Sequence, residues 1–368
     1  MVRGDRMKCI ANLPRIQVPS DVTMASLRLY IEIGKNDYYQ ALFSPDFEFL
    51  AKQLALQEAY HFYKCFFADL KIPEARLKSL SLESSRAKTK AEQLYKNIVT
   101  VFSIIHHPGR EPFKLNVTEV NDLVKLLYAG YFSADQLGYR KVEKAKHSLL
   151  QAEPSSKREV LEQLMNEFAA ALRKNEHERS FLYLNFVVDY MNLDVYRYDD
   201  HDAVAILIYH ILCRQDLFAA ARYVPFFGKF FVRLQEFRAA LDRTRFNWNE
   251  GFAEIMPLHR LFLQLYRDLY VDLAENARDY DYESKLEIRK SDYVENTIDK
   301  LPEVFSKEDI RQKHPLISDS TINRTLKRMQ EEHKIRPLGT GRSAKWIKLY
   351  KKEPKKTSIK QLNLELEG

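Results

Sequence analysis

From Asp194 to Asp202 the chain reads Asp-Val-Tyr-Arg-Tyr-Asp-Asp-His-Asp, which puts Asp194, Asp199, Asp200, His201 and Asp202 within one short segment. Three chemistries follow from such a set. Hard carboxylate oxygens with one imidazole are the mixture that Mg²⁺, Mn²⁺ or Ca²⁺ accepts. The same carboxylates can cap a following helix, each gaining roughly 0.3–1 kcal/mol from its dipole. Asp194 could also act as a general base, though a weak one, because an ordinary Asp titrates near about 3.9. The spacing is not that of a calcium loop, and the apolar run Ala203 to Leu217 predicts a helix that starts at the carboxylates. We therefore expect Asp199, Asp200 and Asp202 to act as caps, with no metal and no cofactor. A phosphate, which a helix N-terminus normally attracts, would meet repulsion here.

A different chemistry sits late in the chain. Ile322, Leu326 and Met329 at i, i+4 and i+7 predict the core face of a helix that Ser318 can cap. Its other face then presents Ser320, Thr321, Asn323, Arg324, Lys327 and Arg328. Hydroxyls and cations suit phosphates, and Asn and Arg can bond base edges in the major groove. Lys334–Leu338 and Ala344–Tyr350 read as two strands around Gly339-Thr-Gly-Arg342, which would place Arg342 at a hairpin tip with Lys345 beside it. Upstream, Ser306-Lys-Glu-Asp309 has the form of a capping box opening a helix that ends by His314-Pro315. Three short helices and a hairpin in this order predict a winged helix.

The elements carrying these groups are mostly helical. From Ser44 to about Tyr280, apolar residues recur at three and four spacing, with Pro73, Pro108, Pro112, Pro154 and Pro225 as punctuation. Residues 1–45 read as an irregular extension with one strand, Leu27 to Ile33, suggested by the alternation of Leu29, Ile31 and Ile33. The expected organisation is an N-terminal extension at 1–45, a helical domain at 46–280, a winged-helix domain at 286–352 and a tail at 353–368. The fold class is thus mainly α, with a small β-hairpin. Tyr223 to Phe231 is apolar enough to be core or a dimer surface, while His106, His107 and His147, near helix ends, read as surface or capping groups.

Fifty-eight Lys and Arg against 51 Asp and Glu give a net charge of +7 in 368 residues, with the basic excess late in the chain. That distribution favours a polyanionic partner. Three cysteines, Cys9, Cys65 and Cys213, lie far apart and read as reduced thiols. No apolar run approaches the roughly 20 residues of a membrane span, and the start lacks the apolar stretch of a secretory signal. A cytoplasmic protein with no membrane partner is expected.

The order of segments between about residues 45 and 275 resembles the Fic family. Ala91 to Asn97 looks like the helix with the family's characteristic Asn. Val117 to Leu127, Gly138-Tyr139-Arg140, and Pro154 with Leu161 to Leu172 match later segments, the second being the start of the target-docking flap. Ala203 to Leu217 resembles the family's buried helix, and Asn247 to Phe252 resembles its Asp-Trp-x-x-Trp-x-x-Phe helix start. Members usually transfer a nucleotide part to protein hydroxyls through the loop His-Pro-Phe-x-(Asp/Glu)-Gly-Asn-(Gly/Lys)-Arg. Here the base position falls on Asp194, the Phe position on Tyr196, the acidic position on Tyr198, the cradle on Asp199, Asp200 and His201, and the clamp on Asp202. The resemblance thus implies a Fic-like fold whose base, cradle and clamp are replaced. Ser84 to Thr89 is similar to the family's inhibitory helix with Lys88 at the Glu position, so Lys88 and Asp202 could pair with exchanged signs.

The reading that follows is a DNA-binding regulator whose degenerate Fic-like domain senses, dimerises or binds a partner. An atypical transferase using a nucleotide or other phosphate donor is the first alternative, and a non-enzymatic interaction scaffold is the second.

Overall fold

The computed structural model describes residues 8–82, 84–142, 156–285, 290–314, 317, 319–339 and 344–349. The chain forms two compact units, Met1–Asp279 and Tyr280–Gly368. The first is helical: α1 (Ser20–Ile33), α2 (Asn36–Phe43), α3 (Phe47–Phe66), α4 (Glu74–Leu80), α5 (Lys90–His106), α6 (Val117–Tyr128), α7 (Lys157–Lys174), α8 (Arg179–Asn192), α9 (Asp202–Asp216), α10 (Phe226–Val232), α11 (Leu234–Phe246) and most of α12 (Met256–Lys285). The second holds α13 (Lys290–Lys300), β1 (Val304–Ser306), α14 (Lys307–Lys313), α15 (Asp319–Glu331), β2 (Ile335–Pro337) and β3 (Lys345–Lys348). Among the described residues, no helix is long and apolar enough to cross a membrane.

Two helices make the centre of the first unit because they are apolar on every side, as helices buried all round must be. Residues 180–191 of α8 and 203–213 of α9 are buried, and the two helices pack together. Two polar groups that enter this core have partners built for them. Asn97 on α5 donates through Nδ2 to the carbonyls of Leu127 (3.0 Å) and Ala129 (2.8 Å), so it closes the end of α6. Asp189 on α8 accepts from the amides of Cys9 (2.8 Å) and Ile10 (3.0 Å) and from Trp248 Nε1 (2.8 Å), tying the N-terminal segment to the turn at Trp248–Glu250. Phe226, Phe227 and Phe230 are buried, so the aromatic run is mostly core.

Residues 1–45 depart from the expectation. Leu27 to Ile33 lies inside α1, and Asn36–Phe43 is a second helix. Val22 and Leu29, seven apart, are buried, while Leu27 and Ile31 are 54% and 66% exposed. The apolar alternation that suggested a strand was thus a short coincidence within a helical stripe. Asn247–Phe252 does not start a helix either. It forms a short 3₁₀ turn that ends at Gly251, where φ is +77°, and α12 begins at Met256.

In the second unit the sheet runs β1-β3-β2, all antiparallel, with Phe305 opposite Trp346 and Arg336 opposite Ile347. Ile322, Leu326 and Met329 of α15 join Val294, Ile298, Phe305, Ile310, Ile335 and Trp346 in one core. The Ser306 capping box is formed, with Ser306 and Asp309 bonded in both directions. Ser318 and the hairpin tip, including Gly341 and Arg342, lie outside the described residues, as do His147 and Pro154.

Candidate functional site: an acidic cleft at the start of α9

The segment 193–202 is a loop clamped from outside by Gly138-Tyr139-Arg140. Tyr139 and Tyr196 form an antiparallel bridge, the amide of Arg140 donates to Val195 O (3.0 Å), and the amide of Arg197 donates to Gly138 O (3.1 Å). The Arg140 side chain reaches across to Tyr196 O (2.5 Å) and to Asp199 Oδ1 (3.0 Å). Tyr139, Tyr196, Tyr198 and His201 stack in succession at 5.1, 5.5 and 4.6 Å, with Phe132 on Tyr198 at 5.2 Å. Aromatic residues therefore fix the loop from inside while the acids face out.

At the left-handed position φ +47°, Asp194 turns the chain, and its side chain is 62% exposed. His201 is buried, its Nε2 accepts from the Tyr196 amide (3.2 Å), and its Nδ1 lies 3.7 Å from Asp194 Oδ1. Burial holds the imidazole below its ordinary range, with Asp194 opposing, so the neutral ring that the amide bond requires is favoured. Asp200 accepts from the Asp202 amide (2.9 Å), and His201 is the N-cap residue without a side-chain cap bond. Of the three acids expected as caps, only Asp200 bonds a free amide at the helix start. Asp199 goes to Arg140, and Asp202 is the first residue of α9.

The largest correction concerns Asp202. Its carboxylate forms an ion pair with Arg245 of α11, and the pair is only about one-quarter to one-third exposed. Lys88 is exposed, and its amide donates to Glu92 Oε2 (2.6 Å). The exchanged-sign pair of Lys88 with Asp202 is therefore replaced, because α11 brings a closer guanidinium that sequence order did not reveal. Burial still raises the Asp202 carboxyl above its usual range, against Arg245. A double-mutant cycle on Asp202→Ala and Arg245→Ala should give a coupling of about 1 kcal/mol in urea unfolding, since the pair is only partly screened. The same cycle with Lys88→Ala should give none, and a coupling there would reverse the assignment.

Asp194, Asp199, Asp200, Asp202, Arg245 and Asn249 line a cleft of about 580 Å³ over Trp248. Its one guanidinium is already neutralised by Asp202, so the cleft offers a phosphate no uncompensated cation among the residues that line it. The acids do not converge on a cation either. Among the described residues, the only His, Cys, Asp and Glu set of three or more whose ligand atoms come within 4.8 Å of one another is Glu58, His106 and His210. All three are buried in the core between α3, α5 and α9, so His106 is not a surface or capping group. Glu58 accepts from the amides of Phe226 and Phe227, both at 2.8 Å, and lies 3.8 Å from His210 Nε2. No ring nitrogen of His106 or His210 has a hydrogen-bond partner among the described residues. Glu58, His106 and His210 lie on three separate helices, and their spacing in the chain did not bring them together. The Arg214 charge acts on both Glu58 and His210, which disfavours a cation at this cluster.

With the loop, the Gly138-Tyr139-Arg140 segment and the two central helices in place, the comparison with known structures is decided by topology. A solved structure of a Fic family protein from Desulfovibrio desulfuricans G20 superposes with a TM-score of 0.50, covering 92% of this chain and 99% of that chain at 12% identity. The fold is Fic-like. At that identity the likeness shows the fold alone and carries no residue roles across. No protein-family model matches the sequence, and no curated protein matches it. In the Fic-like unit, the positions expected to be degenerate, Asp194, Tyr196, Asp200 and Asp202, all belong to one loop, with Tyr196 as its internal wedge. Lys88 stands apart from that loop's ion pair.

Proposed function

We propose that this protein is a DNA-binding regulator whose C-terminal unit grips duplex DNA, while the Fic-like unit senses, dimerises or binds a partner without nucleotide transfer. The observation that carries this reading is the outer face of α15. Asn323 and Arg324 are exposed and have no hydrogen bond or ion pair with the described residues, and exposed Lys327 has only a loose 4.0 Å contact with Glu331. The inner face of the same helix is locked into a core, so these groups stand on a rigid element. The order helix, strand, two helices, two strands, with β1 against β3, supports a winged-helix reading. A helix presented this way fits the roughly 12 Å width of the major groove. Thr321 is half-buried and Ser320 lies at the helix start. Arg328 pairs with Glu295 of α13 at 2.5 Å and is closer to a brace than to a phosphate contact. Phosphate contacts then fall to Lys327, exposed Lys345 and Arg342.

Arg324→Ala should weaken binding to a selected duplex by about 1–3 kcal/mol and relax its sequence preference, whereas Lys327→Ala should weaken all duplexes alike and lower the salt slope by about one. Gel-shift titrations at several salt concentrations separate the two. Equal, sequence-independent effects of both variants would remove base reading from Arg324.

The acidic cleft supports the second half of the proposal, because Asp194, Asp199, Asp200 and Asp202, which the resemblance sets at base, cradle and clamp positions, give it a negative lining. Incubation with labelled ATP and Mg²⁺ is expected to leave protein unlabelled. Arg245 in the cleft is the one feature favouring an atypical phosphate-donor transferase, through a donor that displaces Asp202. Label that appears with the parent chain and disappears with Asp194→Ala would establish that second reading.

A further inference from the structure

At the far end of α9 from the acidic loop, the charge pattern is inverted. Arg214 lies twelve residues after Asp202 on the same helix, about 18 Å along its axis. It lines a cavity of about 220 Å³ together with Arg110 and Arg222. Each of the three side chains is half-buried, and among the described residues none forms an ion pair. Glu111 and Asp216 also line the cavity without reaching any of the three within ion-pair distance, and Asp216 is engaged by Tyr183 OH. The Nε atoms of Arg214 and Arg222 are buried and unpartnered, and Arg222 Nη2 has only a long bond to Gln215 O (3.3 Å).

Three guanidiniums around one cavity without an ion pair are costly, although Glu119 acts on Arg110 and Glu58 on Arg214, and an unmatched buried donor costs more than a normal bond returns. The C-terminal dipole of α9 favours Arg214 but cannot satisfy three cations. Burial pulls Arg214 down to about 10, with Arg222 adding to the effect and Glu58 opposing it, and burial lowers Arg110 as well. The wall is nevertheless firmly built. Gln215 receives the amide of Phe113 (2.9 Å) and donates to its carbonyl (3.1 Å), holding the 107–113 segment against α9. Phe47, Pro108 and Phe113 give the cavity an apolar side.

We infer that Arg110, Arg214 and Arg222 form a binding site for a small organic phosphate, with its phosphoryl oxygens on the guanidiniums and its apolar body against Phe47, Pro108 and Phe113. The cavity is smaller than the roughly 300–1,000 Å³ of drug-sized sites, which restricts the body to about one ring. Bidentate guanidinium contacts match phosphoryl oxygens, and three of them neutralise a dianion.

Isothermal titration of the full chain at low ionic strength tests this with phenyl phosphate, inorganic phosphate and benzoate. Phenyl phosphate should bind with one-to-one stoichiometry, about tenfold more tightly than inorganic phosphate and more tightly than benzoate. Arg222→Gln and Arg110→Gln should each weaken it by roughly 10- to 100-fold. Arg110 comes from a connecting segment outside the helices, so its variant keeps the test decisive if changes nearer the core lower stability; circular dichroism of each variant verifies folding. Absence of binding at millimolar phenyl phosphate, or equal affinity in both folded variants, overturns the site. Inorganic phosphate binding as tightly as phenyl phosphate overturns the organic body.

Discussion

Replacing Asp189 by Ala is expected to destabilise the helical unit by about 3–5 kcal/mol, the largest loss from any single substitution considered. The carboxylate is fully buried on α8 and accepts from the Cys9 and Ile10 amides and from Trp248 Nε1. Its removal leaves three buried donors without a partner, each costing about 1–3 kcal/mol, with partial relief as water enters. Asp189→Asn retains one good acceptor and should fall between the two. Urea midpoints at unchanged m-value measure the effect. A loss below about 1 kcal/mol for the Ala variant would mean that the N-terminal segment and the Trp248 turn are not held through this group. Because Trp248 lines the acidic cleft, the same variant should loosen the loop around Asp194.

Second in size is a pH effect at Glu58. Burial pushes its carboxyl up to about 8, more strongly than the Phe227 and Phe226 amides and Arg214 pull it down. A raised carboxyl pKa means the folded state prefers the proton. The stabilisation is therefore complete below the unfolded value near about 4.5 and is lost as pH rises through about 8. Over that window the group loses on the order of 4 kcal/mol. Its neighbours do not obscure this. His210 is held down to about 3 by burial and then Arg214, His106 lies well below its ordinary value for the same first cause, and the Cys65 thiol is pushed up by burial, each shift favouring the neutral form. Urea unfolding of the parent and of Glu58→Gln at pH 5, 7 and 9 should show the parent's advantage shrinking steadily with pH. A difference that is constant across the three pH values would contradict the buried, protonated state.

Much of this architecture is legible in the sequence because it rests on periodicity. The largely apolar run after Asp202 marks α9 as central, the Ser306 to Asp309 box fixes the start of α14, and the Ile322, Leu326, Met329 stripe fixes which face of α15 is buried. The loop at 194–202 is also legible as acidic, and Tyr196 and Tyr198 as its aromatic members. What escapes is tertiary pairing. Nothing near Asp202 in the chain announces Arg245, and α11 delivers it only after the intervening helices fold back. Lys88 looked a better partner because charge complementarity was judged through a motif position and not through space. A short alternation within α1 imitated a strand because seven residues sample fewer than two helical turns. Asp189 carried a signal of its own, a titratable residue within a largely apolar helix. Such a residue demands built partners, and its chain neighbours do not say which.

The central claim, a duplex-binding face on α15 attached to a Fic-like unit with a disabled loop, is tested most directly by the salt dependence of the full chain's affinity for duplex DNA. Parent protein and the combined Asn323→Ala, Arg324→Ala, Lys327→Ala variant are titrated with the same duplex between low and physiological salt. The account predicts that log affinity of the parent falls linearly with log salt, and that the variant binds more weakly at every salt with a shallower slope. A parent chain without salt-dependent affinity for any duplex at low ionic strength, or a folded variant that binds as the parent does, would contradict it.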